Sequence, residues 1–444
     1  MTETETAPPR AAPEPPRLPA EEAAAPAKDS YGRRLWRYLR EVTAARRRAG
    51  HGSMTAQAAC LMRAAARLLG EGGTGDALAR RLLWPELAAL LPDRAHARAL
   101  VAAYDAKFPG LYGHVAARTA VIDAAVGAAV DDAGGARQVV LLGAGVDSRA
   151  YRLAAGRGAA WIEVDTPASQ ADKRRSLAAL ADVPADHVAF LPVDFETDSL
   201  EAALRACPAF DPALRTCFVW EFVAPYLSAA AVHGVLRTLN RLSAPGSVAV
   251  FDFVDQAIYD ATGSAGLHGD REFLDGVRML GEDSRWGLRP EDHAAWVDAR
   301  GYRVLDHHDP ARLEAEALGG CGVRSYGFYH VLVCEKVGEG RFDECEEEAE
   351  AEAPAAAVAA PAAAPTYAAA EAAVLAAVRE LADEDEVDDA EIGPATSFID
   401  LGLESVDVSA MKAKLEAALG RPVTEAAIFE HASVAALARH LAPP

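Results

Sequence analysis

The sequence predicts an α/β protein with a doubly wound, mostly parallel sheet, followed by a small all-α unit. Three observations predict it. Seven apolar runs alternate with helical patterns as far as residue 337, an acidic Ala/Pro-rich stretch follows, and a compact helical pattern then continues to residue 444. The length of 444 residues suits two folded units with linkers.

The seven apolar runs are the predicted strands. Most are near-continuous, as strands buried on both faces of a parallel sheet tend to be. Helical stretches such as residues 228–242 lie between them. The predicted strands span residues 138–144, 159–165, 187–194, 216–223, 247–254, 302–308 and 328–337.

Composition divides the chain into four parts. Residues 1–30 are rich in Pro, Ala and Glu and are predicted to be a disordered tail. Residues 31–337 form the α/β domain, 338–367 an acidic Ala/Pro-rich linker, and 368–444 the helical unit. The Ala-Pro part of the linker could span on the order of 40 Å if extended.

Charge and apolar run lengths exclude several function classes. The net charge of the chain is −22. Residues 339–444 contain six Lys or Arg and 23 Asp or Glu, so this segment alone has a net charge of −17. So acidic a chain is a poor partner for nucleic acid. No apolar run is long enough for a membrane span. The basic run of residues 33–48 predicts a solvated helix face, with an acidic partner as the alternative.

The six cysteines form no C-x-x-C pair and lie near no histidine pair at metal spacing. Reduced thiols, no metal site and a cytoplasmic location are therefore expected. The N-terminal stretch also lacks the features of a secretory signal.

The sharpest motif of the α/β domain is VVLLGAGVDSRAYRL, residues 139–153. A buried strand ends in Gly143-Ala144-Gly145, and glycines there let the backbone approach a ligand closely. A dinucleotide motif would have a glycine at position 148, where this chain has Ser148. The missing glycine weighs against a pyrophosphate-binding NAD or FAD site and leaves room for a ligand with a nucleoside but no phosphates.

Acidic residues follow the next two strands. Asp165 lies about twenty residues after the glycines, where a carboxylate can accept hydrogen bonds from both ribose hydroxyls. Asp194 ends the third strand, where a purine would lie. Three consecutive strands thus each end in a ligand-type group at one edge of the sheet, whereas each acid alone could equally serve to solubilise a loop.

Four motifs together resemble the leucine carboxyl methyltransferase family, and in particular its bacterial branch of S-adenosylmethionine-dependent O-methyltransferases. They are GAGVDSRAYRL, EVDTP, VWEFVAPYL and SAPGS, and residues 53–66 and 116–123 fit as well. The resemblance covers roughly residues 50–337. It implies the class I methyltransferase fold with a seven-stranded sheet and S-adenosyl-L-methionine as cofactor.

The resemblance also implies roles for individual residues. Arg118 would pair with the methionine carboxylate, since a guanidinium forms a bidentate fork. The turn at Gly143 and Gly145 would hold the cofactor, with Asp165 on the ribose and Asp194 on the adenine edge. Glu221 would line the methionine moiety near the acceptor, and Tyr226 would lie close to the transferred methyl, which makes both catalytic candidates.

This chain departs from the family pattern at Phe222-Val223-Ala224-Pro225. The family more often has a small residue after the Glu and no proline before the Tyr. The departure bears on the acceptor pocket more than on the cofactor site. A segment near residues 255–300 corresponds to the family's covering segment.

Residues 368–442 resemble an acyl carrier protein, with the attachment signature TSFIDLGLES. Val408, Met411, Leu415 and Leu419 follow it at helical spacing. Ser405 would carry 4′-phosphopantetheine, added by a phosphopantetheinyl transferase. A serine at a helix start is otherwise simply a cap, although a helix N-terminus also stabilises an attached phosphate.

The two resemblances together predict an O-methyltransferase for a carboxylate or hydroxyl of a carrier-tethered acyl or polyketide-like intermediate. Polyketide or fatty-acid synthase enzymes are the expected partners, within secondary metabolism. A hydroxyl acceptor would need a base such as Glu221, His330 or Tyr226. Two alternatives stay open: a carrier with a non-catalytic docking module, and a methyltransferase for a free small-molecule acid.

Overall fold

A computed structural model describes the larger part of the chain, in two compact units, Met1–Ala353 and Pro354–Pro444. Apart from residues 15 and 30, the predicted tail of residues 1–30 lies outside the described residues, as does most of the linker. The described residues are 15, 30–48, 52–70, 75–131, 135–154, 158–260, 264–279, 282, 284–319, 322–342, 366–381, 393, 411–412, 414–416, 418–419, 423, 427–428, 431 and 433–442.

The first unit contains a seven-stranded sheet in the order β3-β2-β1-β4-β5-β7-β6. Strands β1 to β5 pair in parallel, and β7 pairs antiparallel with both β5 and β6. This confirms the predicted seven-stranded, mostly parallel sheet. The strands are β1 Gln138–Leu142, β2 Ala160–Asp165, β3 Val188–Pro192, β4 Thr216–Trp220, β5 Val248–Val254, β6 Tyr302–His308 and β7 Tyr329–Lys336.

Helices surround this sheet, and side-chain caps start several of them. The Ser53 hydroxyl accepts from the amide of Ala56, and Gly70, at φ +72°, ends the same helix. The helices are α1 Ser30–Arg48, α2 Met54–Leu69, α3 Ala79–Leu82, α4 Pro85–Ala88, α5 Arg94–Lys107, α6 Leu111–Asp131, α7 Arg149–Arg152, α8 Pro167–Ala178, α9 Leu200–Ala206, α10 Ala229–Arg241, α11 Ala257–Asp260, α12 Asp270–Met279, α13 His293–Ala299 and α14 Pro310–Ala317.

Two hydrophobic cores lie on opposite faces of the sheet, which explains the continuous apolar runs. In β1, Val139 and Leu141 pack into the core that contains α1, α2, α5 and α6. Val140 and Leu142 pack into the core that contains α9 and α10. Because successive side chains of a strand point to opposite faces, both must be apolar here.

The α/β domain extends beyond the boundary predicted at Val337. Phe342 is buried in the core beside α10, and its carbonyl lies 3.2 Å from Nε2 of His233. The amide of Arg341 donates to the carbonyl of Ala299 at 2.7 Å. Phe342 stands in a charged, glycine-containing sequence, so composition alone gives little sign that it packs in this core.

The second unit has its own small core. Helices α15 Tyr367–Leu381 and α16 Val434–Leu441 pack together, with Ser433 capping α16. Met411 and Leu415, from the predicted second helix, are buried in the same core, whereas Val408 and Ser405 lie outside the described residues.

Two sequence expectations concern membranes and thiols. Within the described ranges, no helix is both long and apolar enough to cross a bilayer. The four described cysteines, Cys60, Cys207, Cys217 and Cys334, are buried free thiols. Burial raises the pKa of Cys60, Cys217 and Cys334 to about 12, which makes them poor nucleophiles.

Candidate functional site

A cavity of about 640 Å³ lies at the carboxyl edge of the parallel strands. The strand order reverses between β1 and β4, and ligands of doubly wound sheets bind at such a switch point. Seven of the eight candidate residues that the sequence offers in the α/β domain line this cavity. They are Arg118, Gly143, Gly145, Asp165, Asp194, Glu221 and Tyr226.

The turn after β1 requires its two glycines. Gly143 and Gly145 have φ values of +65° and +36°, in the left-handed region that other residues rarely adopt. A Cβ added to Gly143 would clash with Cγ2 of Val223, and one added to Gly145 would lie 3.1 Å from Cβ of Ala56. The turn therefore presents bare backbone to the cavity.

The two predicted acids occupy different environments. Asp165 accepts from the amides of Gly145 and Thr166, at 2.6 and 2.7 Å. Burial raises the pKa of Asp165 above its ordinary value, although those two amides oppose the shift. Asp194 is half-buried and accepts from the amide of Glu196 at 3.0 Å.

Glu221 is held between two arginines. Nε of Arg118 donates to its Oε1 at 2.7 Å, and Nη1 of Arg149 donates to Oε2. Burial alone would raise the pKa of Glu221, but Arg149, Arg118 and Arg63 outweigh it and hold the pKa well below its ordinary value. Glu221 is therefore a permanent carboxylate that orients Arg118 and is unsuited to accept a proton.

Tyr226 stands on a 3-10 turn, Ala224–Tyr226, that follows β4. Its hydroxyl is buried and has no hydrogen-bond partner among the described residues. Burial raises the pKa of Tyr226 well above its ordinary value, with Glu282 adding to the shift. The phenol is thus a neutral donor available to a ligand in the cavity.

Phe222 occupies a strained backbone position. Its φ is +59°, and among the described residues it is the one non-glycine residue with positive φ. Both carboxylate oxygens of Asp252 accept from its amide, at 2.8 and 3.0 Å, and its ring centroid lies 4.5 Å from the Arg118 guanidinium. Such strain costs about 1–3 kcal/mol and is typical of functional sites. The predicted departure from the family pattern therefore lies within the site.

Sequence reasoning missed several charged residues of the site. Nη2 of Arg63 donates to the carbonyl of Val146 at 2.8 Å, and Arg63 pairs with Asp76. Arg149 pairs with Asp123 and Asp147 as well as with Glu221. Both arginines lie in stretches that carry the family resemblance, Arg63 in residues 53–66 and Arg149 in the glycine motif, and those positions are the signal that could have found them.

Other described residues contribute less. His330, an alternative base from the sequence, does not line the cavity and instead stacks on Phe253, with Nδ1 3.0 Å from Nε2 of His307. Glu282, from the predicted covering segment, does line it and accepts from Ser53 and Thr55 at the start of α2. In the part of the chain that the structure describes, no cluster of three or more His, Cys, Asp or Glu side chains could hold a metal.

The fold is that of an α/β protein with a cavity at the switch point of its sheet. The family model described as leucine carboxyl methyltransferase matches residues 53–240. A curated relative from Mycobacterium tuberculosis, named "Putative S-adenosyl-L-methionine-dependent methyltransferase", is 31% identical over 226 residues, 49% of this chain and 67% of the relative. The chain belongs to the leucine carboxyl methyltransferase family.

Other relatives align over shorter segments. Proteins of the same name from Mycolicibacterium gilvum and Mycolicibacterium paratuberculosis are each 38% identical, over 26% and 34% of this chain. The chain spans only 37% and 48% of their lengths. A solved structure of a DUF574 family protein from Streptomyces avermitilis covers 62% of this chain and 96% of its own, at 14% identity and a TM-score of 0.42.

A second family model, described as phosphopantetheine attachment site, matches residues 374–441. That range includes Ser405 and most of the second unit. The two family matches together imply two groups, S-adenosyl-L-methionine and 4′-phosphopantetheine.

Proposed function

We propose that the protein is an S-adenosyl-L-methionine-dependent O-methyltransferase that acts on an acyl group tethered to its own phosphopantetheine arm. One observation gives the methyltransferase part of this proposal its strongest support. The glycine turn, Asp165, Asp194 and the Arg118–Glu221 pair, from five different parts of the sequence, line one cavity.

The chemistry of these groups fits S-adenosyl-L-methionine. Asp165 and Asp194 can accept hydrogen bonds from ribose hydroxyls and from an amino group. Ser148 stands where a pyrophosphate-binding dinucleotide motif would have its third glycine. Arg118, oriented by Glu221, supplies a guanidinium for the methionine carboxylate. Gly143 and Gly145 line the cavity at the end of β1 and carry no side chain that a ligand would have to avoid.

When bound, S-adenosyl-L-methionine supplies a methyl group on an electrophilic sulfonium. The residues of the chain then need to align the acceptor and exclude water, and such positioning can supply much of the rate. Tyr226 and Phe222 lie on the turn beside the Arg118–Glu221 pair, and Phe222 packs against Tyr226 with ring centroids 5.6 Å apart. These two rings are the proposed wall of the acceptor side.

The protonation states favour a carboxylate as the methyl acceptor. A hydroxyl acceptor needs a base, but Glu221 is held ionised by arginines and Tyr226 keeps its proton, since its pKa is raised. No histidine is among the described residues that line the cavity. A carboxylate is already ionised at pH 7 and needs no base. Since the thioester consumes the first carboxyl of the acyl group, a second carboxylate would accept the methyl.

The carrier part of the proposal is supported by the second family match and the TSFIDLGLES signature. A tether of this kind converts substrate binding into an intramolecular event with a raised effective concentration. A phosphopantetheinyl transferase would load Ser405, and polyketide or fatty-acid synthase enzymes would supply the acyl group.

The intact mass of the full chain tests the carrier. After incubation with coenzyme A and a broad-specificity phosphopantetheinyl transferase, wild type should gain the mass of one phosphopantetheine. Ser405→Ala should gain nothing, and Ser409→Ala, a serine four residues further on, is the matched control that should still load. A wild type that gains no mass would contradict the carrier and favour a free acid as substrate.

Calorimetry with S-adenosylhomocysteine tests the cofactor site. Wild type should bind it, and Arg118→Met should bind it at least about tenfold more weakly because a charge-assisted contact is lost. Binding with no methyl transfer to any acyl-loaded carrier would favour the non-catalytic docking module instead.

A further inference from the structure

A buried ion pair lies directly behind the glycine turn. Glu163, in the middle of β2, is fully buried, and Lys173, on α8, is 1% exposed. Nζ of Lys173 lies 2.7 Å from Oε2 of Glu163. Neither residue lines the cavity, so neither can touch a ligand bound there.

Isolated charges are costly to bury, and a pair of this kind is weak evidence for stability. Lys173 has two further contacts that account for its position. Its Nζ donates to the carbonyl of Ala144 at 3.4 Å, and it lies 5.4 Å from the centroid of the Tyr151 ring. The ammonium thus reaches the middle residue of the Gly143-Ala144-Gly145 turn.

Three consecutive residues of β2 fix this turn. Glu163 acts through Lys173, the carbonyl of Val164 accepts from the amide of Ala144 at 3.0 Å, and Asp165 accepts from the amide of Gly145 at 2.6 Å. The turn is therefore held through the carbonyl of Ala144 as well as through the amides of Ala144 and Gly145. The carbonyl of Ala144 also accepts from the amide of Asp147 at 2.7 Å, a contact within the turn, whereas Lys173 ties the same carbonyl to α8.

We propose that Lys173, held by Glu163, is a positioning residue for cofactor binding. Its ammonium fixes the carbonyl of Ala144, and so fixes the orientation in which Gly143 and Gly145 face the cofactor. This inference rests on the proposed function, because it assumes that the turn binds S-adenosyl-L-methionine.

The test separates positioning from fold stability by removing the pair in two ways. Lys173→Met leaves Glu163 as an unpaired buried acid, so stability and cofactor affinity should both fall. The double variant E163Q/K173M removes both charges, so stability should largely recover. Its affinity for S-adenosylhomocysteine should stay about tenfold weaker, because the carbonyl of Ala144 has lost its charged donor.

Two further variants of the full chain serve as controls. Lys173→Arg keeps a cationic donor at this position, so its affinity should lie closer to wild type than that of Lys173→Met. Lys336 is a second buried lysine, whose Nζ donates to the carbonyls of Asn240 and Ser243 away from the cavity. Lys336→Met should therefore lower stability and leave the affinity unchanged.

Calorimetry with S-adenosylhomocysteine and urea unfolding give both quantities. In steady state, the double variant should raise KM for S-adenosyl-L-methionine and leave kcat near wild type. Wild-type affinity in the double variant would overturn the inference, because the pair would then be structural only. A wild type that does not bind S-adenosylhomocysteine would overturn the proposed function, and this inference with it.

Discussion

Phe222 contributes to the site both through its backbone conformation and through its side chain. Its left-handed backbone suits glycine, yet its side chain covers Arg118. A pair of variants separates the two effects, since Phe222→Gly and Phe222→Ala both remove the ring and only alanine keeps the strain. We expect Phe222→Gly to be more stable than Phe222→Ala by about 1 kcal/mol in urea unfolding.

Both of these variants should also bind S-adenosylhomocysteine more weakly than wild type, because the ring over Arg118 is gone. Equal stability of the two variants would show that the backbone of residue 222 is unstrained in solution.

Asp252 should make the free energy of unfolding depend on pH. Burial raises its pKa to about 7, with Glu221 adding to the shift and Arg118 opposing it. The unfolded chain has the ordinary, lower pKa, so between roughly pH 4 and 7 the folded state binds more protons. The contribution of Asp252 to stability is therefore present at low pH and is lost as pH rises toward 7.

Asp252→Asn removes this titration and keeps an acceptor for the amide of Phe222. The free energy of unfolding of wild type, relative to that of Asp252→Asn, should therefore fall by roughly 2 kcal/mol between pH 5 and pH 8. Urea unfolding of both proteins across that range measures it. A constant difference would mean that Asp252 has an ordinary pKa in the fold.

At the scale of elements, the turn after β1 depends on the turn after β4. A Cβ at position 143 would meet Cγ2 of Val223. Gly143→Ala should weaken S-adenosylhomocysteine binding, since overpacking of this kind costs about 1–3 kcal/mol. Val223→Ala in the same chain should restore part of the affinity, although the φ of +65° still disfavours alanine.

Calorimetry on the single and double variants measures this coupling. If the double variant binds no better than Gly143→Ala, the backbone conformation alone causes the loss, and contact between the two turns is unimportant.

The sequence predicted the elements well and their side-chain pairings poorly. All seven strands were found, because strands buried on both faces have continuous apolar runs. The sequence did not reveal that Glu163 pairs with Lys173 or that Asp252 accepts from the amide of Phe222, because each acid is a single polar residue inside such an apolar run. Their partners, Lys173 and the amide of Phe222, lie on other elements, and only the fold brings them together.

At the scale of the whole molecule, the proposal makes methyl transfer an intramolecular step. In single turnover, a chain loaded with its acyl arm should react at a rate that does not change with protein concentration. Quenched-flow measurements over a hundredfold dilution would test this. A rate that falls in proportion to concentration would mean that the acyl group of one chain is methylated by another.

The packing of Phe342 has a consequence for domain grafting. A chimera that joins a foreign carrier directly after Val337 would delete Phe342 and empty its place in the core beside α10. Loss of a buried phenylalanine side chain costs about 3–5 kcal/mol. A chimera joined after Phe342 keeps that contact, so the usable splice point for exchanging carriers begins five residues later than the composition of the chain suggests.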